Sequence, residues 1–106
     1  MKDLICLVTG GFDPVHSGHI EYFNAAKKCA DFLIVGVNSD EWLINKKKLF
    51  LMPWLERSQV ISSLKPVDQV LSFDDSDGTA IDAINECLKL AKKVIFANGG
   101  DRGKDN

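Results

Sequence analysis

Hydrophobic residues in this chain fall into four short aliphatic runs, separated by longer stretches of mixed polarity. Runs without regular polar alternation are typical of strands buried on both faces, as in parallel sheets. The four runs cover residues 4–8, 32–37, 67–73 and 94–97. The pattern therefore predicts four strands in a sheet that is covered on both sides.

In the segments between these runs, apolar residues recur at close to the 3.6-residue helical period. One helix is predicted around residues 20–30, a second starts at Pro53 and ends at Pro66, and a third occupies residues 80–91. Residues 41–51 lack a clear period and are interpreted as a loop. The apolar positions of the three helices are Ile20, Phe23, Ala26 and Ala30; Leu55, Val60, Ile61 and Leu64; and Ala80, Ile84, Cys87, Leu88 and Ala91.

Strands and helices alternate along the chain, which is typical of an α/β fold with helices on both faces of a parallel sheet. We therefore predict a single Rossmann-like, doubly wound domain over residues 1–106, with four strands in the order 3-2-1-4. In such sheets, ligands bind beyond the carboxyl ends of the strands, where the strand order reverses. That place lies between strands one and four, so the turn at Gly10 and the loop at Gly99 are predicted to face each other.

The turn between the first strand and the first helix runs from Gly10 to His19 and reads Gly-Gly-Phe-Asp-Pro-Val-His-Ser-Gly-His. Glycine permits positive φ and close approach of the main chain to a ligand, and a helix start attracts anions through its unpaired N–H groups and its dipole. His16 and His19 stand three residues apart across this helix start. Because imidazole or imidazolium donors can stabilise charge on a phosphoryl group, the segment predicts a site that handles phosphate.

His16-Ser17-Gly18-His19, with its Gly-Gly-Phe-Asp lead-in, resembles the HxGH signature of the cytidylyltransferase-like nucleotidyltransferases. These enzymes join a nucleoside monophosphate to a phosphate-bearing acceptor and release pyrophosphate. The similarity runs from Leu4 to Gly103 and is to the glycerol-3-phosphate cytidylyltransferase and heptose-phosphate adenylyltransferase types. The resemblance implies attack of an acceptor phosphate oxygen on the α-phosphorus of a nucleoside triphosphate, with His16, His19 and Lys46 as catalytic residues.

The resemblance also implies binding residues, most of which have a plainer alternative. Lys46 and Lys48 match lysines that contact the triphosphate, although a lysine run is ordinarily a solvated surface. Arg57 matches an arginine that helps to hold phosphates, and its alternative is a surface ion pair. Asp13 could simply brace the turn, and Trp42 could belong to the core. The implied nucleotide-binding residues are Gly10, Gly11, Phe12, Asp13, Gly18, Lys48, Arg57, Gly99, Gly100 and Asp101, and the implied acceptor-binding residues are Asp40 and Trp42.

The substrates implied by the resemblance are a nucleoside triphosphate and a small phosphorylated acceptor, with Mg²⁺ bound chiefly through triphosphate oxygens. CTP with a polyol phosphate is favoured by Lys46-x-Lys48, whereas ATP with a sugar phosphate is favoured by Gly99-Gly100-Asp101. Gly11 departs from the Ser or Thr of many members. The chain also ends at Asn106, before the family's fifth strand, so a fragment or a shortened variant is expected. Dimers among relatives make a homodimer an expectation.

Composition narrows the function classes further. A net charge of −2 argues against nucleic acid or an anionic membrane as the main partner. Cys6, Cys29 and Cys87 are widely spaced, which favours reduced and mostly buried thiols over a disulfide or zinc framework. The histidine pair also lacks zinc-site spacing, so no protein metal ligands are predicted. Because neither a signal peptide nor a bilayer-length apolar run is found, we expect a cytoplasmic protein.

Two other functions are compatible with a phosphate-binding turn of this kind. The first is a nucleotide-binding module without turnover, which would bind nucleotide and form no pyrophosphate. The second is a dinucleotide-dependent dehydrogenase, whose turn has the pattern Gly-x-Gly-x-x-Gly. Here Gly10 and Gly11 are adjacent and the next glycine is Gly18, so the dehydrogenase is disfavoured.

Overall fold

Four strands and four helices make up residues 1–97, the part of the chain that the computed structural model describes. In chain order they are β1 (Lys2–Gly10), α1 (Ser17–Lys27), β2 (Phe32–Val37), α2 (Asp40–Lys47), α3 (Trp54–Ser62), β3 (Gln69–Leu71), α4 (Ile81–Leu88) and β4 (Ala91–Phe96). The strands form one sheet in the order β3-β2-β1-β4, and every neighbouring pair is parallel. The predicted α/β class and strand order are confirmed.

The central strands β1 and β2 are largely buried on both faces, which explains their uninterrupted aliphatic runs, whereas Ile95 and Phe96 of the edge strand β4 are exposed. On one face, Cys6 and Val8 of β1 belong to a core that includes Phe23 of α1 and Ile61 of α3. On the other face, the alternate β1 residues pack with Ala83 and Cys87 of α4. The central position of β1 places its carboxyl end, and the glycine turn that follows, in the middle of the sheet edge.

Helix α2 occupies part of the segment that we interpret from its sequence as a loop, and that interpretation is wrong. Leu43 is the buried residue of this helix, so α2 has no repeating apolar stripe that a periodicity analysis could detect. Its start is instead marked by Ser39, whose hydroxyl accepts a hydrogen bond from the Trp42 amide at 3.0 Å. Acidic residues occupy its first turn and lysines its last, which suits the helix dipole.

Other boundaries and faces also differ from prediction. Strand β3 is only three residues long within the predicted run 67–73. Ala91 begins β4 and pairs with Lys2, so sheet pairing overrides the helical spacing that placed it on the third predicted helix. In α3 the buried residues include Arg57 and Ile61, which leaves Leu55 on the solvent side. The predicted apolar positions that are exposed are Ile20, Leu55 and Leu88.

All three cysteines are free, and two of them are buried as predicted. Burial raises the pKa of the Cys6 and Cys87 thiols to about 11, so both are protonated at neutral pH. Cys29 is exposed near the end of α1, which corrects the prediction for that residue. Within residues 1–97, no helix has both the length and the apolar character needed to cross a bilayer.

Candidate active site

His16 and His19 close the start of α1 through a reciprocal pair of hydrogen bonds. The Gly18 amide donates to Nδ1 of His16 at 3.1 Å, and the His16 amide donates to Nδ1 of His19 at 3.1 Å. The two histidines therefore form a capping box, a motif in which Ser or Thr and Glu are the usual residues. The rings stack with centroids 4.0 Å apart, so the structure brings the two predicted catalytic histidines together.

This capping arrangement determines where the ring protons lie. Because Nδ1 of each ring accepts a hydrogen from the backbone, each neutral ring carries its proton on Nε2, where it can donate to a phosphate oxygen. Burial, and after it the neighbouring His16, lowers the pKa of His19 below its ordinary value. The sequence left imidazole and imidazolium open, and the geometry favours neutral His19 as an N–H donor.

The turn glycines are required for space, not for left-handed backbone. Among the glycines within residues 1–97, positive φ occurs at Gly78. A Cβ on Gly10 would lie 2.9 Å from Cζ of Phe12, and one on Gly11 would lie 2.7 Å from Cδ2 of Leu43. A Cβ on Gly18 would lie 2.9 Å from Cε1 of His16. The space at these glycines is thus limited by neighbouring side chains of the site, and close approach of the main chain to a ligand stays a prediction.

Replacing Gly18 by Ala is expected to displace the His16 ring while the helix stays intact. The new methyl group collides with the end of a movable side chain, and alanine is the better helix former by about 0.5–1 kcal/mol. We expect catalytic turnover to fall by up to about 10²-fold because a small misplacement of a catalytic group is costly. Unfolding in urea and pyrophosphate release measure the two effects, with Ser17→Ala as control. Unchanged turnover in Gly18→Ala would contradict this account.

Asp13 ties the segment between α2 and α3 to the glycine turn. Its side chain is 1% exposed and accepts hydrogen bonds from the amides of Leu51 at 2.7 Å and Met52 at 2.6 Å. Lys47 pairs with the carboxylate at 3.0 Å and also donates to the Asp13 carbonyl at 2.8 Å. The structure thus gives Asp13 a bracing contact, while nucleotide contact by Asp13 stays a prediction.

Acidification should weaken the fold through Asp13. Desolvation favours the protonated carboxyl, but the Leu51 and Met52 amides and the Lys47 ammonium outweigh it and hold the pKa of Asp13 below its ordinary value. A lowered pKa in the folded state contributes stability above about pH 4, and that stability is lost as the pH falls further. Urea unfolding between pH 7 and pH 3 measures the loss.

Asp13→Asn should reduce that pH dependence, with the lowered pKa of Asp68 and of Asp74 contributing the remainder. The substitution should also lower stability at pH 7 by about 1–3 kcal/mol. Asp3→Asn is the matched control, because the Asp3 side chain is 78% exposed in a long surface pair with Lys92. If Asp13→Asn and the wild type lost stability equally on acidification, the proposed bracing role would be wrong.

Arg57 is fully buried, and its guanidinium contacts four residues in three segments of the site. Nε donates to the Met52 carbonyl, and Nη1 donates to the carbonyls of Gly11 and Asn38, each at 2.8 Å. Nη2 pairs with the Asp40 carboxylate. The arrangement is neither a surface ion pair nor an exposed phosphate ligand, so a direct phosphate contact by Arg57 stays a prediction.

A pocket of about 430 Å³ lies between α2 and the loop that joins β3 to α4. Trp42 and Lys46 line it, with the Lys46 ammonium 4.9 Å from the centre of the Trp42 ring. Trp42 also lies against the glycine turn, since its Cζ3 would be 3.3 Å from a Cβ on Gly11. Lys48 ends α2 in the left-handed conformation and is exposed. The predicted Gly99, Gly100 and Asp101 lie outside the described residues.

Asp75 is a site residue that the sequence interpretation missed. This buried carboxylate accepts hydrogen bonds from Asn38 Nδ2 at 2.9 Å, from the Ser39 amide at 2.8 Å and from the Ser39 hydroxyl at 2.8 Å. Residues 74–78 look like a polar turn in sequence. The available signal was topological, because the carboxyl ends of adjacent parallel strands β2 and β3 lie side by side.

The chain forms a Rossmann-like α/β domain in which the glycine turn leads from β1 into the helix that the histidine pair caps. Residues 7–105 match the Cytidylyltransferase-like family, and the chain belongs to that family. The matched range includes the histidine pair at the start of α1.

Individual relatives support the same membership. The chain is 36% identical over 104 residues to the bifunctional protein HldE of Nitratiruptor, covering 95% of this chain and 21% of that protein. It is 38% identical over 105 residues to the FAD synthase of Ferroglobus placidus, covering 99% of this chain and 63% of the relative. The chain thus spans about a fifth to three fifths of the length of these relatives.

A solved structure shares the fold. The crystal structure of the lipopolysaccharide core biosynthesis protein from Thermoplasma volcanium matches with a TM-score of 0.69 and 25% identity. The match covers 91% of this chain and 97% of that chain. It supports the strand order and the position of the helices around the sheet.

Proposed function

We propose that this chain transfers a nucleoside monophosphate from a nucleoside triphosphate to a small phosphorylated acceptor. An acceptor phosphate oxygen attacks the α-phosphorus, the bond from that phosphorus to the bridging oxygen breaks, and pyrophosphate leaves. The observation that carries the proposal is the reciprocal histidine cap, which aligns two N–H donors at a helix start. Membership of the Cytidylyltransferase-like family supports the same chemistry.

Each residue of the site has a task in this reaction. Nε2–H of His16 and Nε2–H of His19 donate to the oxygens that gain charge as the α-phosphorus becomes five-coordinate. The dipole of α1 favours the same anion. Lys46, exposed on α2, supplies an ammonium that can follow the charge of the triphosphate.

Mg²⁺ fits this site as an ion carried by the substrate. Within residues 1–97, no three His, Cys, Asp or Glu side chains gather closely enough to hold a metal. The Asp13 carboxylate is occupied by Lys47 and two backbone amides. Mg²⁺ keeps several waters and commonly binds through substrate phosphates, so the triphosphate oxygens would hold it and it would neutralise their charge.

ATP is the nucleotide that we favour, with CTP as the competitor. FAD contains AMP, so the name of the FAD synthase relatives supports transfer of AMP. The similarity to a lipopolysaccharide core biosynthesis protein supports an acceptor with a sugar skeleton. The pocket between α2 and the loop that joins β3 to α4 offers such an acceptor the Trp42 side chain together with the polar groups of Asn45 and Ser76. A cytoplasmic location and a homodimer stay predictions.

Pyrophosphate release tests the proposal directly. The purified chain is incubated with Mg²⁺ and each of ATP, CTP, GTP and UTP, against sugar 1-phosphates, glycerol 3-phosphate and FMN. Acceptor-dependent release supports a nucleotidyltransferase, and the most active pair identifies the base and the acceptor. Calorimetric binding of nucleotide without release in any mixture would instead support the nucleotide-binding module. Absence of both would contradict the proposal.

A further inference from the structure

Phe12 has a backbone conformation that an aromatic residue rarely adopts. Its φ is 53°, in the left-handed region, where the side chain crowds its own backbone. Such a residue persists only where surrounding contacts hold it in place. Phe12 follows the two turn glycines and precedes Asp13, so its backbone directs the chain from β1 toward the histidine helix.

The contact that holds the preceding residue comes from Arg57. The Gly11 carbonyl accepts a hydrogen bond from Nη1 of Arg57 at 2.8 Å, and the same nitrogen donates to the Asn38 carbonyl at 2.8 Å. The guanidinium is 0% exposed and its position is set further by Met52 and Asp40. A rigid planar group thus fixes the peptide that leads into Phe12.

The Phe12 ring connects the turn to α1, because it packs against His19. Its edge meets the His19 ring with centroids 5.0 Å apart and planes at 89°, and it also packs against Phe23 at 5.3 Å. On its other side the ring lies over Gly10, where a Cβ would be 2.9 Å away. Phe12 is therefore a buried wedge between the end of β1 and His19.

We propose that Arg57 is a positioning residue for His19, acting through the Gly11 carbonyl and the Phe12 ring without touching the phosphates. The proposal deepens the proposed function, because it concerns the same catalytic histidine. It explains why a cation stands fully buried beside the turn, with its donors directed at backbone carbonyls and at Asp40.

Nitrogen NMR of the His19 ring tests the positioning role without any need for turnover. In the wild type, Nδ1 of His19 is the unprotonated nitrogen, since it accepts from the His16 amide. Arg57→Lys keeps the charge but loses the planar geometry, and Phe12→Leu removes the ring contact. We expect both variants to shift the His19 ring signals and to mix the two tautomers. Asp40→Ala retains Arg57 but removes the acceptor of Nη2, so it should shift the same signals if Arg57→Lys fails to fold.

Asp68→Asn is the control for a general loss of stability. Asp68 pairs with Lys27 and accepts from the Leu33 amide at the start of β2, at the far end of the sheet. This variant should unfold more easily and leave the His19 signals unchanged. His19 signals that match those of the wild type in Phe12→Leu and in Asp40→Ala would overturn the proposal.

Turnover provides a second and separate readout. If the wild type releases pyrophosphate, Arg57→Lys should lower kcat by about 10-fold with little change in the KM for nucleotide, because a misplaced donor weakens the transition state. A raised KM with unchanged kcat would point to direct phosphate binding and contradict the proposal. A wild type without turnover would contradict the proposed function, while the NMR result would still decide the role of Arg57.

Discussion

Replacing His19 by Asn is expected to lower pyrophosphate release by about 10²–10³-fold and to leave the fold nearly intact. The Asn side-chain oxygen falls where Nδ1 lies in histidine, so it can still accept the His16 amide that the wild-type ring accepts at 3.1 Å. What it lacks is the outward Nε2–H. Stability should therefore change by less than about 1 kcal/mol, since the cap is preserved.

Replacing His19 by Gln gives the complementary test. Its side-chain oxygen can accept the His16 amide, since Gln at this position of a capping box reaches back to the N-cap amide, and its amide nitrogen remains as a donor. Stability should therefore change by less than about 1 kcal/mol. Activity should exceed that of the Asn variant. At His16, Gln should again be more active than Asn, and replacing both histidines by Ala should abolish release.

Asn24→Ala, at an exposed position of the same helix, controls for effects of substitution in α1 that do not involve the histidines. Rates are compared by pyrophosphate release at saturating nucleotide, and stabilities by urea unfolding. Normal turnover in His19→Asn, or in the double Ala variant, would contradict the role of the Nε2–H donors in the reaction.

The parts of the fold that were predictable are those that depend on neighbours in sequence. The aliphatic run of β1 and the glycine turn are contiguous, and the capping contacts of His16 and His19 span at most three residues. Helix α2 was not predictable by period because its start depends on Ser39 as a cap and it buries mainly Leu43. The apolar residues of α2 show too little helical periodicity to distinguish its sequence from that of a loop.

The remaining parts of the site depend on contacts between residues far apart in sequence. Arg57 meets Gly11 across 46 positions, and Asp75 meets Asn38 across 37. In sequence, Arg57 beside Glu56 looks like a surface pair, and nothing local indicates burial of its guanidinium. The guanidinium is buried, and contacts the backbone of the site, because α3 packs against the ends of the central strands.

Asp75 should contribute strongly to the stability of the site. Its three hydrogen bonds fix Asn38 and Ser39, and Ser39 in turn caps the helix that carries Trp42 and Lys46. Replacing Asp75 by Ala leaves buried donors without an acceptor, so we expect a loss of about 3 kcal/mol in the free energy of unfolding. Urea unfolding measures it.

The effect of Asp75→Ala on activity follows from the same contacts. Freed from Ser39, the start of α2 can shift and move the Trp42 side of the pocket, so the KM for the acceptor should rise more than the KM for nucleotide. Asp77→Ala is the matched control, because Asp77 lies exposed in the same loop and accepts only from Thr79 among the described contacts. Equal losses of stability in the two variants would mean that Asp75 does not hold α2 in place. The proposed effect of this carboxylate on the pocket would then also be wrong.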